Sequence, residues 1–286
     1  MLVGIDTMLP EARKGGYAVG SFNVNNMETA HAILEAAVER KSPVILAFGE
    51  GGMYSLLPMG SLVAAMREMA QPLPVPVAII LDHGRTFEGE VRAIRSGATS
   101  VMFDGSVLPF AENVERTREV VKIAHAAGVA VEAEVGHVGQ GADYAGIESE
   151  RDQLFTKPEQ AVEFVRLTGV DALAVAVGTA HGVYVGKSPE LDYDRLASIR
   201  EVVPVPLVLH GGSGTGDAKL AKAVENGIAK VNIYTDMGMA ARDRVRAMLS
   251  EKGDKAKFID VLLDAKAAFK EISGHYMDVF GSTGKA

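Results

Sequence analysis

The sequence Val77-Ala78-Ile79-Ile80-Leu81-Asp82-His83-Gly84 holds five apolar residues in a row, followed by an acid, an imidazole and a glycine. An uninterrupted apolar run is typical of a parallel strand that is covered on both faces. Residues 87–94 continue with apolar side chains at helical spacing. Because α/β folds place ligand-binding and catalytic groups at the carboxyl ends of such strands, Asp82 and His83 are candidate site residues. A core histidine beside a helix cap would explain a single pair equally well, so the rest of the chain decides between the two interpretations.

The same strand-then-helix pattern repeats along the chain. Strand-like runs lie at 18–24, 44–48, 77–84, 100–104, 129–135, 172–177, 206–209 and 228–233. Helical patterns follow them at 27–40, 62–70, 87–94, 111–126, 158–167, 193–202, 218–225 and 237–249. Eight such alternations predict a parallel sheet, and eight strands close a (β/α)₈ TIM barrel. A last pattern at 258–280 predicts one extra C-terminal helix, and no linker divides residues 1–286, so we expect a single domain.

Composition limits the classes of function. The net charge of −8 argues against a general binder of nucleic acids or anionic membranes. The sequence has no cysteine, so disulfides and thiolate metal sites are excluded, and any metal must be held by histidine or carboxylate side chains. No apolar run reaches the roughly 20 residues of a membrane helix, and the N-terminus lacks a signal-peptide pattern. We therefore expect a cytoplasmic protein that has neither nucleic acid nor a membrane as its partner.

Polar side chains end most of the predicted strands. In chain order they are Asn23, Asp82, His83, Asp104, Glu134, His181, His210 and Asn232. Three of the seven histidines fall at the ends of strands three, six and seven, and neutral imidazoles on rigid strand ends form a Zn²⁺ site with an open fourth position. An open position lets zinc polarise an oxygen of a substrate. The other four histidines, at 31, 125, 137 and 275, are interpreted as surface or packing residues.

Carboxylates surround the predicted zinc site. Asp82 precedes a proposed ligand, so we expect it to point into the same mouth as a proton donor or acceptor. Asp104 and Glu134 either orient the ligands or hold a second or alternative metal position. Glu132 lies on the same face as Glu134 by strand alternation, but deeper in the barrel.

Glycine-rich segments follow strands six and seven, at 178–182 and 210–214, and strand eight ends in Asn232-Ile233-Tyr234-Thr235. Barrels often bind phosphate after strands seven and eight, where glycine lets backbone N–H groups approach the oxygens. Ser213 and Thr235 add hydroxyl groups. One glycine loop is weak evidence because turns need glycine anyway, but two on adjacent strands beside a metal site favour a phosphate-binding region.

Four motifs are specific: Leu-Asp-His-Gly at 81–84, Glu-Ala-Glu-Val-Gly at 132–136, Gly-Thr-Ala-His-Gly at 178–182 and Leu-His-Gly-Gly-Ser at 209–213. With them the chain, from 20 to 285, resembles the class II fructose-bisphosphate aldolases and the related tagatose-bisphosphate aldolases. The resemblance implies zinc-dependent, reversible cleavage of a ketose (bis)phosphate to dihydroxyacetone phosphate and an aldehyde, by way of a metal-stabilised enediolate. It makes a sugar phosphate the expected partner, and we expect a homo-oligomer, either a dimer or a tetramer.

The resemblance also implies a function for each site residue. His83, His181 and His210 would bind the catalytic zinc, and Asp82 would exchange a proton with the oxygen of the aldehyde. Asp104 and Glu134 match a second metal position, for another divalent or a monovalent cation. The expected substrate-binding residues are Asn23, Gly182, Gly211, Gly212, Ser213, Asn232, Ile233, Tyr234 and Thr235.

The predicted chemistry agrees with the residues that are present. Breaking a C–C bond next to a carbonyl leaves negative charge, which a dication stabilises by several kcal/mol in a dry site. Zinc then takes the place of the Schiff-base lysine of other aldolases. We expect no lysine inside a strand, since Lys230 borders strand eight and is the only nearby candidate.

The chain departs from the family pattern at three positions. Ala142 stands where the mobile loop of the family usually has the glutamate held to be its base, so Asp143, in the long polar segment 136–157, is the candidate to move that proton. Gly49 and Val185 replace a serine and a lysine that are associated with phosphorylated substrate, and Lys187 lies two residues away from the second position. These changes favour a ketose 1-phosphate with a tail other than that of fructose 1,6-bisphosphate.

Two other classes of protein fit parts of the sequence. A metal-dependent hydrolase on the same barrel would usually show His-x-His after the first strand, whereas this chain has Asn23-Val24-Asn25. A barrel that has lost turnover and serves as a binding or assembly subunit would explain Ala142. A cleavage assay with and without chelator separates these classes from an aldolase.

Overall fold

The structure, a computed structural model, describes residues 1–50, 56–141, 151–184 and 188–286. Eight parallel strands pair in chain order and close into a barrel, which confirms the predicted (β/α)₈ architecture. The strands are β1 Val19–Asn23, β2 Val44–Gly49, β3 Val77–Gly84, β4 Ser100–Phe103, β5 Ala130–Val135, β6 Ala172–Val175, β7 Leu207–Leu209 and β8 Ile228–Ile233.

Helices alternate with the strands and cover the outside of the barrel. In the described ranges they are α1 Ile5–Gly15, α2 Met27–Arg40, α3 Met59–Ala70, α4 Phe87–Ser96, α5 Phe110–Ala126, α6 Arg151–Leu154, α7 Pro158–Thr168, α8 Tyr193–Val202, α9 Asp217–Glu225, α10 Thr235–Lys252 and α11 Phe258–Val279. The predicted helices lie within about three residues of these bounds. None of the described helices combines the length and the apolar character that crossing a membrane would require.

The N-terminal helix α1 was not predicted from the sequence. Its apolar residues Ile5, Met8, Leu9 and Ala12 follow a helical period, but Pro10 lies among them and weakens the pattern. This face packs into a cluster with residues of the barrel interior that are mostly small, many of them alanine. The chain just before α1 hydrogen-bonds to the first residue of β3, so α1 closes the amino-terminal end of the barrel. Ligands therefore have access from the carboxyl end.

The C-terminal helix α11 confirms the expected element beyond the eightfold repeat. It packs against α2 and α10 and buries Phe269, Tyr276 and Met277 in the layer between helices and strands. Its Tyr276 hydroxyl donates a short hydrogen bond to Asp236 at the start of α10. The helix thus supports the loop that follows β8.

Candidate metal centre

Three histidine side chains meet at the carboxyl end of the barrel, where β3, β6 and β7 end. His83 Nε2 lies 3.1 Å from His181 Nε2 and 2.9 Å from His210 Nδ1. Ligand nitrogens around a tetrahedral zinc, each about 2.0–2.1 Å from the metal, lie about 3.3–3.4 Å from one another. The three rings therefore stand close to the spacing of a zinc site before any adjustment.

Hydrogen bonds on the outer side of each ring decide which nitrogen carries the proton. His83 Nδ1 lies 2.9 Å from Asp104 Oδ2, and His210 Nε2 lies 2.9 Å from Glu132 Oε1. The His181 ring is hydrogen-bonded to the backbone of Val138. Because carboxylate and carbonyl oxygens only accept, the protons stay on the outer nitrogens and the inner lone pairs face one another. Such an arrangement calls for a cation between them, and the donor set fits Zn²⁺.

The electrostatics of the cluster favour one added positive charge. Burial alone would lower the pKa of His83, but Asp82, Asp104 and Glu134 raise it to about 9. Burial and the charge on His83 together lower the pKa of His181 to about 4. Bound Zn²⁺ would bring two positive charges and displace the proton that His83 holds, so zinc and protons compete for the site.

An irregularity in β3 lets two neighbouring residues point into the same mouth. Successive strand residues normally face opposite sides of a sheet. Here the pairing of β3 with β4 shifts register between Leu81 and Gly84, and His83 has φ 51°, in the left-handed region. That conformation costs a non-glycine residue roughly 1–2 kcal/mol. The strain brings the His83 ring beside Asp82 at the mouth of the barrel.

Asp82 is buried and held by two amide side chains. Asn23 Nδ2 donates to its Oδ2 at 3.0 Å, and Asn232 Nδ2 donates to its Oδ1 at 2.8 Å. Burial would raise the pKa of Asp82, but the neighbouring positive charges and the Asn23 hydrogen bond outweigh it and lower the pKa. The side chain is therefore an ionised carboxylate in a fixed orientation, able to accept a proton.

Asp104, Glu134 and His83 form a second group of possible metal ligands. One ligand atom from each of the three residues lies within 4.8 Å of the other two. Asp104 Oδ1 accepts the Ser106 hydroxyl at 2.7 Å, and burial together with Asp104 raises the pKa of Glu134 to about 8. Glu134 Oε2 is buried with no hydrogen-bond partner in the described ranges. A second cation here would keep both carboxylates ionised, and the residues fit that use.

The loops after β7 and β8 are joined by hydrogen bonds. The Ser213 hydroxyl accepts the N–H groups of Tyr234 at 3.2 Å and Asp236 at 3.3 Å, and Gly214 donates to Asp236 at 2.9 Å. At Gly211, φ is +68° and a Cβ would stand 2.4 Å from the Ala180 carbonyl oxygen, so only glycine fits. The two predicted phosphate-binding loops therefore form one polar surface.

The other predicted substrate-binding residues lie in or beside this surface. At Gly182 no atom of the described residues lies within 4 Å of the position a Cβ would take, and Thr235 begins α10. The Tyr234 hydroxyl accepts a hydrogen bond from Asn25. Ile233 is buried in the apolar layer between the strands and the helices, beside Gly212. Asn232 Oδ1 is buried with no hydrogen-bond partner in the described part of the chain.

The polar segment after β5 is described only in part. Its first residues lie against the histidine cluster. The backbone N–H of Gly141 donates to the His181 carbonyl at 2.7 Å, and the backbone N–H of His181 donates to the Gly139 carbonyl at 2.8 Å. Ala142 and Asp143 lie outside the described residues, as do Val185 and Lys187. The predicted base therefore remains a prediction.

The expectation that no strand carries an interior lysine was wrong. Lys230 lies within β8, is fully buried, and contacts both carboxylate oxygens of Glu132. A register shift between β7 and β8 places it toward the barrel interior. A lysine in an apolar strand and a glutamate two positions before Glu134 were the signals in the sequence. His137 is also nearer the centre than its interpretation implied, because its Nδ1 lies 3.2 Å from the Ser106 hydroxyl.

Comparisons with known proteins agree with this geometry. Residues 3–285 match the family model described as fructose-bisphosphate aldolase class-II. The chain is 44% identical to a fructose-bisphosphate aldolase from Thermus caldophilus, with 100% of both sequences covered. Its fold is similar to that of the YdjI aldolase from Escherichia coli K12, with a TM-score of 0.88, 38% identity and 100% of both chains covered. A putative fructose-1,6-biphosphate aldolase from Coccidioides immitis gives a TM-score of 0.85 at 32% identity, covering 98% of this chain and 96% of that one.

We predict that the purified protein contains about one zinc per chain. His181→Ala should remove most of it, because two histidine ligands bind zinc more weakly than three. Metal content measured by mass spectrometry checks this. His125→Ala is the matched control, since His125 pairs with Asp171 in an exposed position away from the cluster. Undiminished zinc in His181→Ala would contradict the assignment.

Proposed function

This chain belongs to the class-II fructose-bisphosphate aldolase family, and we propose that it is a zinc-dependent aldolase that reversibly cleaves a ketose phosphate to dihydroxyacetone phosphate and an aldehyde. The observation that carries the proposal is the set of three inward-facing imidazole nitrogens, contributed by His83, His181 and His210. When bound there, Zn²⁺ supplies a Lewis acid that stabilises negative charge on the substrate, worth several kcal/mol in a site that excludes water.

Asp82 is proposed to handle the proton of the substrate hydroxyl. In the cleavage direction, the carboxylate takes that proton while the C–C bond breaks, and the electron pair of the bond stays with the dihydroxyacetone phosphate fragment. Its two amide partners, Asn23 and Asn232, hold it in one orientation. Asn232 Oδ1, which has no hydrogen-bond partner among the described residues, is proposed to accept a hydrogen bond from a substrate hydroxyl. In condensation the same proton returns to the oxygen of the aldehyde.

The joined loops after β7 and β8 are proposed to bind the phosphate of dihydroxyacetone phosphate. Ser213 uses its oxygen to accept backbone N–H groups, so its proton is free for a phosphate oxygen. Gly182, Gly211 and Gly212 allow close approach, and Thr235 lies at the N-terminus of α10, where a helix favours an anion. These residues meet beside the histidine cluster.

The Asp104–Glu134 pair is proposed as the place of a second divalent or a monovalent cation. Glu134 Oε2 is buried and has no hydrogen-bond partner among the described residues, which supports this because a cation could bind it. The ring of His83 stands between the two positions, since its two nitrogens face opposite ways.

The chain is also proposed to fold as one domain and to associate with copies of itself. Residues 1–286 would form one domain, and copies of the chain would associate as a dimer or tetramer. Phe258, Ile259 and Leu263 are more than half exposed at the start of α11, which supports association because such apolar groups often mark interfaces. A cytoplasmic location remains a prediction from the sequence.

The residues at the end of β2 favour a substrate that has no second phosphate at the end distant from dihydroxyacetone phosphate. Gly49 pairs in register with Asp82, so it borders the mouth but offers no hydroxyl. The next residue, Glu50, places its carboxylate at the N-terminus of α4, where it accepts the Arg85 N–H at 3.1 Å and the Thr86 hydroxyl at 2.5 Å. A carboxylate already occupies the end of the helix that could have bound a phosphate.

We predict that Asp82→Ala keeps its zinc but loses cleavage by roughly 10²–10⁴-fold, the usual worth of a positioned acid or base. Steady-state cleavage rates and metal content, measured on the same preparation, check this. Asp82→Asn is the matched variant, because it keeps the shape but cannot take the proton, and it should lose a similar factor. If either variant loses its metal, Asp82 is a ligand or a structural support instead.

We predict that fructose 1,6-bisphosphate is a poorer substrate than another ketose phosphate, because Gly49 and Glu50 offer a second phosphate few partners. Condensing dihydroxyacetone phosphate with a panel of phosphorylated and unphosphorylated aldehydes, followed by kcat/KM for each ketose, is the test. Tagatose 1,6-bisphosphate belongs in the panel because the local sequence resembles tagatose-type members. A higher kcat/KM for fructose 1,6-bisphosphate than for every other ketose would reject the prediction. Absence of turnover with the whole panel would favour a barrel that has lost catalysis.

We predict that Asp143→Ala slows exchange of the dihydroxyacetone phosphate C–H proton with deuterated water by at least about 10²-fold, while zinc stays bound. Ala142 cannot move a proton, and the adjacent carboxylate could be delivered by a one-residue shift of the loop. The exchange is followed by NMR without any aldehyde, so it reports this proton transfer alone. Ser149→Ala, which changes the same segment without removing a carboxylate, is the matched control with unchanged exchange. Unchanged exchange in Asp143→Ala would exclude Asp143 and point to Glu148, Glu150 or a neighbouring subunit.

A further inference from the structure

A buried ion pair crosses the barrel interior beneath the histidine cluster. Lys230 Nζ lies 2.9 Å from Glu132 Oε1 and 2.8 Å from Glu132 Oε2, and neither side chain is exposed to solvent. Glu132 comes from β5 and Lys230 from β8, so the pair links strands that are not neighbours in the barrel.

The ion pair contacts one of the three histidines directly. Glu132 Oε1 lies 2.9 Å from His210 Nε2, while the opposite ring nitrogen, Nδ1, lies 2.9 Å from His83 Nε2. His210 is completely buried, so no water competes for its ring nitrogens. The carboxylate can only accept, and it therefore holds the His210 proton on Nε2 and leaves the Nδ1 lone pair toward the cluster.

We propose that Glu132 and Lys230 are a positioning pair, which fixes the tautomer and orientation of His210 and thereby sets the affinity of the site for its metal. This inference rests on the proposed metal centre. Glu132 orients the ring, and Lys230 holds the carboxylate in place from the far side of the barrel. Neither residue touches substrate or metal, so each acts only through His210.

Lys230 is needed because of the surroundings of Glu132. The interior layer below the cluster is built from small apolar residues, among them Ala130, Ala172 and Ala174. A lone carboxylate buried there would be unstable unless a partner charge compensated it. Lys230 supplies that charge, and the register shift between β7 and β8 turns its side chain toward Glu132. The pair is neutral as a whole, so it orients His210 without adding net charge beneath the metal.

We predict that Glu132→Gln weakens Zn²⁺ binding by about 10- to 100-fold, the usual effect of losing a partner that orients a metal-binding histidine. Titrating the metal-free full-length chain with Zn²⁺ against a fluorescent chelator gives the Kd. Lys230→Met should weaken binding as well. The double variant should bind no more weakly than Glu132→Gln, because the two side chains act as a unit. Ser273→Ala removes a buried hydroxyl of α11, far from the cluster, and serves as the control with unchanged Kd.

A merely structural pair would give a different result. In that case Glu132→Gln would lower the melting temperature of the metal-free chain and leave the Zn²⁺ Kd within about threefold of the native value, which would overturn the proposal. Should the variants fail to fold, ¹⁵N spectra of histidine-labelled, zinc-loaded native protein decide: a proton on His210 Nε2 supports the pair, and a proton on Nδ1 overturns it. A native chain that binds no Zn²⁺ would reject the metal centre itself, which separates the two failures.

Discussion

Imidazole rings whose outer nitrogens all donate hydrogen bonds present only lone pairs to one another, and these lone pairs can face one another at hydrogen-bond distance only if a positive charge lies among them. In this chain the outer nitrogens are committed to Asp104, Glu132 and the Val138 backbone, so the inner nitrogens present lone pairs. The nearby carboxylates raise the pKa of His83 because they favour that positive charge. The same charge would neutralise negative charge on a bound substrate, so one electrostatic requirement serves both the site and the reaction.

The barrel gives a cation access to the three histidines because one end is open and the other is closed. Helix α1 fills the amino-terminal end with apolar side chains, and the interior above it is lined by small residues and one ion pair. Rigid strands then bring the polar groups to the carboxyl end. The strained backbone of His83 is tolerated because the neighbouring pairing of β3 with β2 and β4 holds the strand in place.

The strand ends could be predicted because a parallel barrel sends every carboxyl end to the same mouth. The sequence alone therefore predicts that Asp82, His83, His181 and His210 lie at one end of the barrel. Helix α1 escaped prediction because Pro10 disguised its period. The direction of the Lys230 side chain cannot be predicted, because a register shift between strands leaves no mark on a single sequence. The hydrogen bond between Glu132 and His210 depends on the register of the strands in three dimensions. The predicted loop base, Asp143, lies outside the described residues.

His83, His181 and His210 are proposed to hold one metal ion through particular nitrogen atoms. Anomalous diffraction at the zinc edge, from crystals of the zinc-loaded full-length chain, measures this directly. We expect one peak about 2.0–2.1 Å from His83 Nε2, His181 Nε2 and His210 Nδ1. A site without such a peak, or a zinc ion bound by His210 through Nε2, would contradict it.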